Sequence, residues 1–491
     1  MQRLAFALLI AAAPVFADEI ETEVRRFTEA YALVEKEAAE PVVLDKAFYE
    51  GAIPGLLRRL DPHSVFFDPG QFEQLKQLQT STSKGFGSVV SVLPGRVIVL
   101  QALPGTPSAR SGISAGDEIL AINGYRLDRL DMEQLVGLLS HSRRQEARLD
   151  VRRPGNARIM NFVLIPEEMQ SPSVERAFYV APKVGYLRVA TFDEKTGQQI
   201  REAIERLGGK DLKGLVLDLR NNPGGVLPAA LETAALFLKP GLKLLTVRGR
   251  AVEEKTQNVP ENNQPYEFPV AVLINEKSAS ASEIVAGAIQ DHDRGVVIGL
   301  PSFGKGLVES VYPLSESTGL ALTTALYYTP SGRSIQKPLD GAQFALAATA
   351  ANLNAQSEFR TAGGRVVKGG GGIVPDHVVP PASFSQLRAV LDASGSFTTF
   401  ATDYVRRHPK VAEDFEVSAE LLDEFQFFLS ARNIRPGVGE WSGERDFIRN
   451  RLKTEIFNQA LGVEKGDEVE AQRDPQILKA VEELSTGRPA R

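Results

Sequence analysis

The chain has 491 residues, 43% apolar and 24% charged, with a net charge of −6, the profile of a globular chain long enough for several domains. That balance offers no basic field for nucleic acid. The absence of cysteine removes disulfide frameworks, thiolate catalysis and cysteine-ligated metal, and the five histidines (His63, His141, His292, His377 and His408) are scattered without ligand spacing, so no metal or other cofactor is expected.

Met1-Gln2-Arg3 is a short basic start, followed by an apolar run over 4–16 and small residues before Asp18. The pattern reads as a secretory signal peptide over 1–17, cut after Ala17; the alternative is an uncleaved anchor. Export is expected, to the periplasm in a two-membrane bacterium. The region 18–83 is helical. Ile20, Val24, Phe27, Tyr31, Val34 and Ala38 recur at spacings of four and three, a seam that either packs on its own domain or meets a helix of another subunit. Pro41 ends this helix, and further helices are expected over 44–60 and 71–79. Between them, Leu60-Asp61-Pro62-His63-Ser64 is a turn in which His63 reads as structural.

Residues 84–166 form the next unit. Lys84-Gly85-Phe86-Gly87-Ser88-Val89 is a glycine loop entering a strand, and Gly112 through Gly124, with Ala115-Gly116-Asp117-Glu118, lies further on. A helix is expected over 132–139, with strands over 147–151 and 160–164. From Lys183 strands and helices alternate, an α/β pattern. The apolar strand over 214–219 ends in Arg220-Asn221-Asn222-Pro223-Gly224-Gly225. That corner is either a tight turn requiring positive φ or a place where N–H groups enter a pocket. The polar stretch 253–264 reads as a loop, and 341–372 as a flexible insertion within a core of 167–382. The region 383–491 is helical, with apolar faces at Leu421, Leu422, Phe425, Phe428 and Leu429 and at Phe447, Ile448, Leu452, Ile456 and Phe457.

Within the α/β part, an apolar strand over 270–274 runs into Lys277-Ser278-Ala279-Ser280-Ala281-Ser282-Glu283 and then an apolar helix. Ser280 therefore sits at a strand-to-helix turn, beside the unpaired N–H groups of a helix start. Two readings compete. Ser280-x-x-Glu283 fits a capping box, in which the hydroxyl merely satisfies the helix end. The other reading makes Ser280 a nucleophile, with Lys305 of Ser302-Phe303-Gly304-Lys305-Gly306 as its base. A lysine titrates near ~10.4 in water, and an apolar pocket, to which Phe303 would contribute, lowers that value. A Ser/Lys pair requires neither histidine nor metal. Gly299 through Lys305 also matches a phosphate loop, but Gly306 replaces the Mg²⁺-binding Ser/Thr and a strand, not a helix, is expected next.

The 84–166 unit resembles a PDZ domain, which captures a peptide's C-terminal carboxylate on a glycine loop and adds the peptide as a strand. That resemblance assigns substrate binding to Gly85, Phe86, Gly87, Ser88 and Val89. With Leu60 to Ser64, Asp218 to Gly225, Ser278 to Glu283, Phe303 to Gly306, Tyr327-Tyr328-Thr329-Pro330-Ser331-Gly332-Arg333 and Gly372 to Asp376, the chain resembles a C-terminal processing peptidase (tail-specific protease) of the Ser/Lys type. The resemblance implies an α/β core of the crotonase/Clp-protease kind with an inserted PDZ domain and helical N- and C-terminal regions. It makes Ser280 the nucleophile and Lys305 the base, with the amides of Ala281, Gly224 and Gly225 holding the oxyanion. The substrates would be proteins with exposed C-terminal tails. An adaptor protein and homo-oligomerisation through the terminal helices are further expectations. One position departs: the family's lysine-orienting glutamine is Glu309 here, and a carboxylate beside Lys305 would favour its charged form. That leaves a PDZ-bearing scaffold or binding protein with an inactive or latent core as the alternative.

Overall fold

The computed structural model describes residues 14–43, 46–79, 82–338, 358–382 and 385–486. The apolar leader up to residue 13 and the first part of the 341–372 stretch lie outside the described residues. The chain forms two compact units, one built on Met1–Phe72 and Glu309–Thr323, the other on Glu73–Val308, Thr324–Pro338 and Ala345–Arg491.

In the first unit the Pro14–Glu37 helix carries the expected seam from Ile20 to Val34, and Ala38 lies beyond its end. Phe27 and Tyr31 pack on Phe48 at ring distances of 5.8 and 5.2 Å, while Ile20, Val24, Leu33 and Val34 are exposed. The expected 44–60 helix is a π-helical Lys46–Ala52 followed by Ile53–Leu60. Buried Asp61 makes the turn after it, accepting from the N–H of His63 and from the N–H and hydroxyl of Ser64. His63 thus takes its place through its backbone, within a turn. Val65–Phe67 then pairs with residues 319–321.

The second unit is organised by a six-stranded sheet in the order Val174–Ala181, Val184–Val189, Gly214–Asp218, Val270–Ile274, Gly295–Gly299 and His377–Val378. All neighbours but the first pair are parallel. Parallel strands are covered on both faces and so read as continuous apolar runs. Leu215, Leu217, Val270, Val272 and Ile274 face one side, packing with Ile200, Ala230, Val285 and Ile289 of three helices. Val216, Ala271 and Leu273 face the other, packing with Ile477, Ala480 and Leu484 of the Pro475–Thr486 helix. The Pro475–Thr486 helix therefore covers the second face of the core sheet.

The PDZ-like region is a separate sheet in the order Ser88–Leu93, Arg96–Ala102, Glu118–Ile122, Ala147–Arg152 and Met160–Leu164. Ser88–Leu93 lies at its edge. The two apolar faces expected in the C-terminal region meet in one cluster, with Leu422, Phe425, Ile448, Leu452 and Ile456 buried together. This helical region touches the PDZ-like sheet, where Arg96 donates to Thr399 Oγ1 at 3.2 Å and the Val463 N–H donates to Gln101 Oε1 at 3.2 Å.

Two expectations need correction. Within the stretch read as a loop, Lys255–Asn258 is a strand paired with Lys243–Arg248; its polar residues are the exposed side of an edge pairing, which alternation over so few residues does not reveal. The described part of the stretch read as a flexible insertion contains a hairpin, Phe359–Arg360 with Val366–Val367. Arg365 fixes this hairpin by ion pairs to Asp293 and Asp376 at 2.6 and 2.5 Å.

Candidate active site

The fully buried strand Val270–Ile274 delivers the chain to a turn over 275–279, and Ser280 caps the Ala281–Asp291 helix. Ser280 has φ +54° and ψ −111°. Positive φ in a non-glycine residue costs about 1–3 kcal/mol and persists where the surroundings over-determine it. The serines on either side show what holds it. Ser278 Oγ donates to the Leu219 carbonyl at 2.8 Å and Ser282 Oγ to the Asn222 carbonyl at 3.0 Å, so both bind the turn to the end of the neighbouring strand. The Ser280 hydroxyl makes no capping bond. Only the acidic half of the capping box is made: Glu283 Oε2 accepts from the Ser280 N–H at 2.8 Å, while the Glu283 N–H goes to the Ser280 carbonyl. The cap reading thus accounts for Glu283 and leaves the serine hydroxyl over.

Glu283 does more than cap. Its carboxylate is fully buried and accepts four hydrogen bonds. Oε1 takes the Ser302 hydroxyl at 2.5 Å and the Gly304 N–H at 2.7 Å; Oε2 takes the N–H groups of Ser280 at 2.8 Å and Lys305 at 2.9 Å. One oxygen therefore joins the backbones of both residues of the expected dyad, and their amide nitrogens lie no further apart than those two bonds laid end to end. Burial pushes the Glu283 pKa up, against the pull of its donors. Lys305 itself is half-buried. Phe303 is 47% exposed, so the apolar cover expected from its ring is partial. Glu309 lies on the Leu307–Pro313 strand, half-buried, and belongs to the first unit.

The glycine corner meets the same turn. Asn222 accepts the Ala279 N–H on its carbonyl and the Gly224 N–H on Oδ1 at 2.9 Å, and donates to the Val189 carbonyl at 2.9 Å. A Cβ built on Gly224, whose φ is +105°, would stand 2.8 Å from the Ala279 carbonyl oxygen and 2.9 Å from Ser280 Cβ, so glycine is required for the corner to close on the serine. The Gly224 N–H, expected among the oxyanion donors, is committed to Asn222. The Gly225 N–H differs. Gly225 bridges Phe192 through the Gly224 carbonyl and the Val226 N–H on either side of it, and strand alternation turns its own N–H away from Phe192. The Ala281 N–H is at the first helical position, where a helix supplies no acceptor.

Two supports of the site were not read from the sequence. Arg220, next to the corner, is bound by Asp218 at 2.6 Å and by Asp474 at 2.6 Å, and Gln476 Oε1 accepts from it at 2.8 Å. Burial opposes its charge, but the two carboxylates outweigh this and hold its pKa above the ordinary range. Asp291, at the end of the serine's helix, pairs with fully buried Arg333 at 2.7 Å. The signal for Arg220 would have been its place directly after a buried strand, two residues beyond Asp218; its other partners, Asp474 and Gln476, lie over 250 positions away. Among the described residues no group of carboxylates and histidines could hold a metal ion.

In the PDZ-like region the loop carbonyls turn inward: that of Phe86 accepts from the Ser108 N–H and that of Gly87 from the Leu103 N–H. A Cβ on Gly87 would strike Thr106 at 2.3 Å. Ser88 Oγ donates to Ser108 Oγ at 2.6 Å, and Val89 pairs with Gln101. This loop and edge lie far along the chain from Ser280.

Comparison with known proteins bears on both regions. The pattern of peptidase family S41 matches residues 183–342, and that of a PDZ domain matches 98–153. The carboxy-terminal-processing protease of Bartonella bacilliformis is 38% identical over 300 residues, covering 60% of this chain and 68% of that protein. The chain belongs to peptidase family S41. The carboxy-terminal processing protease CtpB of Bacillus subtilis is 30% identical over 335 residues, covering 67% and 69%. Among solved structures, a photosystem II D1 C-terminal processing protease is 27% identical and covers 68% of this chain and 93% of that one, with a TM-score of 0.37. As an S41 member the chain is a serine-type peptidase with a PDZ domain. The S41 match contains Ser280, Lys305, Glu309 and the Gly224-Gly225 corner. The PDZ match begins after the 85–89 loop, although that loop packs on the turn 103–108 inside it.

Proposed function

We propose that this S41 peptidase is an exported C-terminal-processing enzyme in which Ser280 is the nucleophile and Lys305 its base. Lys305 takes the proton of Ser280 Oγ as the oxygen attacks the scissile carbonyl. The Ala281 and Gly225 N–H groups receive the oxyanion, Lys305 returns its proton to the leaving amine, and water then hydrolyses the acyl-enzyme on Ser280. The observation carrying this reading is the shared Glu283 oxygen, which joins the Ser280 and Lys305 backbones while leaving the Ser280 hydroxyl uncommitted.

The substrate is a protein with an exposed C-terminal tail, whose carboxylate binds the Gly85-Phe86-Gly87 loop and whose last residues add to the edge strand at Ser88 and Val89. Residues 1–17 serve as the export signal, placing the enzyme in the periplasm of a two-membrane bacterium. The exposed apolar residues of the Pro14–Glu37 helix support assembly with a second copy, and an adaptor protein is a further partner in this proposal. The two-faced parallel sheet with its helices supports kinship of the core with the crotonase and Clp-protease folds.

A fluorophosphonate probe tests the nucleophile, because it should modify Ser280 in the native chain and nothing in Ser280→Ala. A matched pair of substrates with free and amidated C-termini tests the tail: the free acid should be cut faster, and equal rates would remove the PDZ loop from recognition.

A further inference from the structure

Lys305 is flanked by Gly304 and Gly306, which bring no side chains of their own to fix where its side chain starts. Its own N–H and carbonyl are bound by groups from outside the loop. One is Glu283, on the amide side. The other is Tyr327, on the Gly319–Tyr328 strand. The Tyr327 hydroxyl lies 2.9 Å from the Lys305 carbonyl oxygen and 3.2 Å from the Ser280 carbonyl oxygen. Its ring is 1% exposed, and its own N–H donates to the Gly306 carbonyl at 2.9 Å. The dyad is thus gripped from both sides of its backbone, with N–H groups on Glu283 and carbonyls on Tyr327.

Resting on the Ser280/Lys305 reading, we infer that Tyr327 is a positioning residue for the dyad, its hydroxyl keeping nucleophile and base in register. A hydroxyl has one proton to share between two carbonyls, and the two respond differently to its loss. The Ser280 carbonyl keeps the Glu283 and Ile284 N–H groups at 2.8 and 3.0 Å. The Lys305 carbonyl takes the shorter of the phenol's bonds and sits in a glycine-flanked loop, so removal of the hydroxyl falls on the base. Burial and the nearby Glu283 carboxylate hold the phenol's pKa well above its ordinary value, so it stays a donor throughout the working pH range.

The test is Tyr327→Phe in the full chain, with Ser280→Ala beside it and Tyr266→Phe as a comparison. Tyr266 is another buried tyrosine, but its hydroxyl bonds Glu205 and takes no part in the dyad. Tyr327→Phe should lower kcat about 10- to 100-fold, the scale of a small misplacement of a reacting group, with KM nearly unchanged and the pH–rate profile displaced. Tyr266→Phe should leave the profile where it is. A native kcat and pH profile in Tyr327→Phe, with Ser280→Ala inactive, would overturn the role of Tyr327 and leave the dyad standing. Cleavage surviving in Ser280→Ala would overturn the dyad and this role together. Should Tyr327→Phe fail to fold, 3-fluorotyrosine at 327 keeps the ring and hydroxyl while altering donor strength. A displaced pH–rate profile then supports the role, and an unchanged one overturns it.

Discussion

Glu283→Gln changes one atom at the junction of the site and should cost far more activity than stability. The native carboxylate offers acceptors to four donors. Glutamine keeps one oxygen and turns an NH₂ toward two of those donors, so two bonds are lost whichever way the amide lies. Hydrogen bonds to a charged group contribute about 1.5–3 kcal/mol each, a gross loss of about 3–6 kcal/mol. Relief from burying a carboxylate whose four hydrogen-bond partners include no cation offsets several kcal/mol of that, so the thermal midpoint should fall only by a few degrees. Activity has no such offset. Either the Ser280 and Lys305 amides or the Ser302–Gly304 support is released, and a displacement near 1 Å costs about 100-fold in kcat. Steady-state cleavage of a fluorogenic peptide, paired with a thermal scan, measures both. A variant with native kcat and KM would refute the argument.

The pH dependence carries a second sign. Burial raises the Glu283 pKa above its ordinary ~4.3. With the folded pKa above the unfolded one, the folded chain holds this proton more readily, so the group's contribution to stability improves as pH falls through the folded value and levels off below the unfolded one. Catalysis moves oppositely, since a protonated carboxyl brings an O–H donor among four donors. The native enzyme should therefore lose kcat on the acid side before it unfolds, and Glu283→Gln should lack that limb.

Other perturbations follow from the same contacts. Gly224→Ala places a methyl 2.9 Å from Ser280 Cβ and 3.1 Å from the Ala281 nitrogen; it should abolish cleavage and probe labelling while circular dichroism stays native. Asp291→Ala strands the Arg333 guanidinium, whose side chain is 1% exposed; denaturant titration should show a loss of about 3–5 kcal/mol. Glu309→Gln replaces the carboxylate by the glutamine that the sequence resemblance leads one to expect; it should raise activity near neutral pH, whereas an unchanged pH–rate profile would rule out a carboxylate effect on Lys305.

The strand-to-helix turn at Ser280 was legible because its signal is local. An apolar strand, alternating serines and an apolar helix leave few ways to place Ser280, and the flanking serines were spent as anchors for the same reason. The core strands were legible because burial on both faces writes them as unbroken apolar runs. What the sequence hid is long-range or polar. Tyr327 reads as one more β-forming aromatic until its hydroxyl is seen between two carbonyls. Arg220 finds Asp474 only after the last helix folds back across the sheet. The Gly224 amide came among the oxyanion donors through the family resemblance, and nothing in a Gly-Gly pair says which amide a neighbouring asparagine will take. The Lys255–Asn258 strand was missed because a short polar edge has no apolar period.

The central claim is that Ser280 and Lys305 together cut peptide bonds. Digestion of β-casein, an unstructured protein with an apolar C-terminus, by the chain from Asp18 tests it most directly, with Ser280→Ala and Lys305→Ala alongside. The account predicts cleavage by the native chain and by neither variant. Cleavage that survives Ser280→Ala would contradict it.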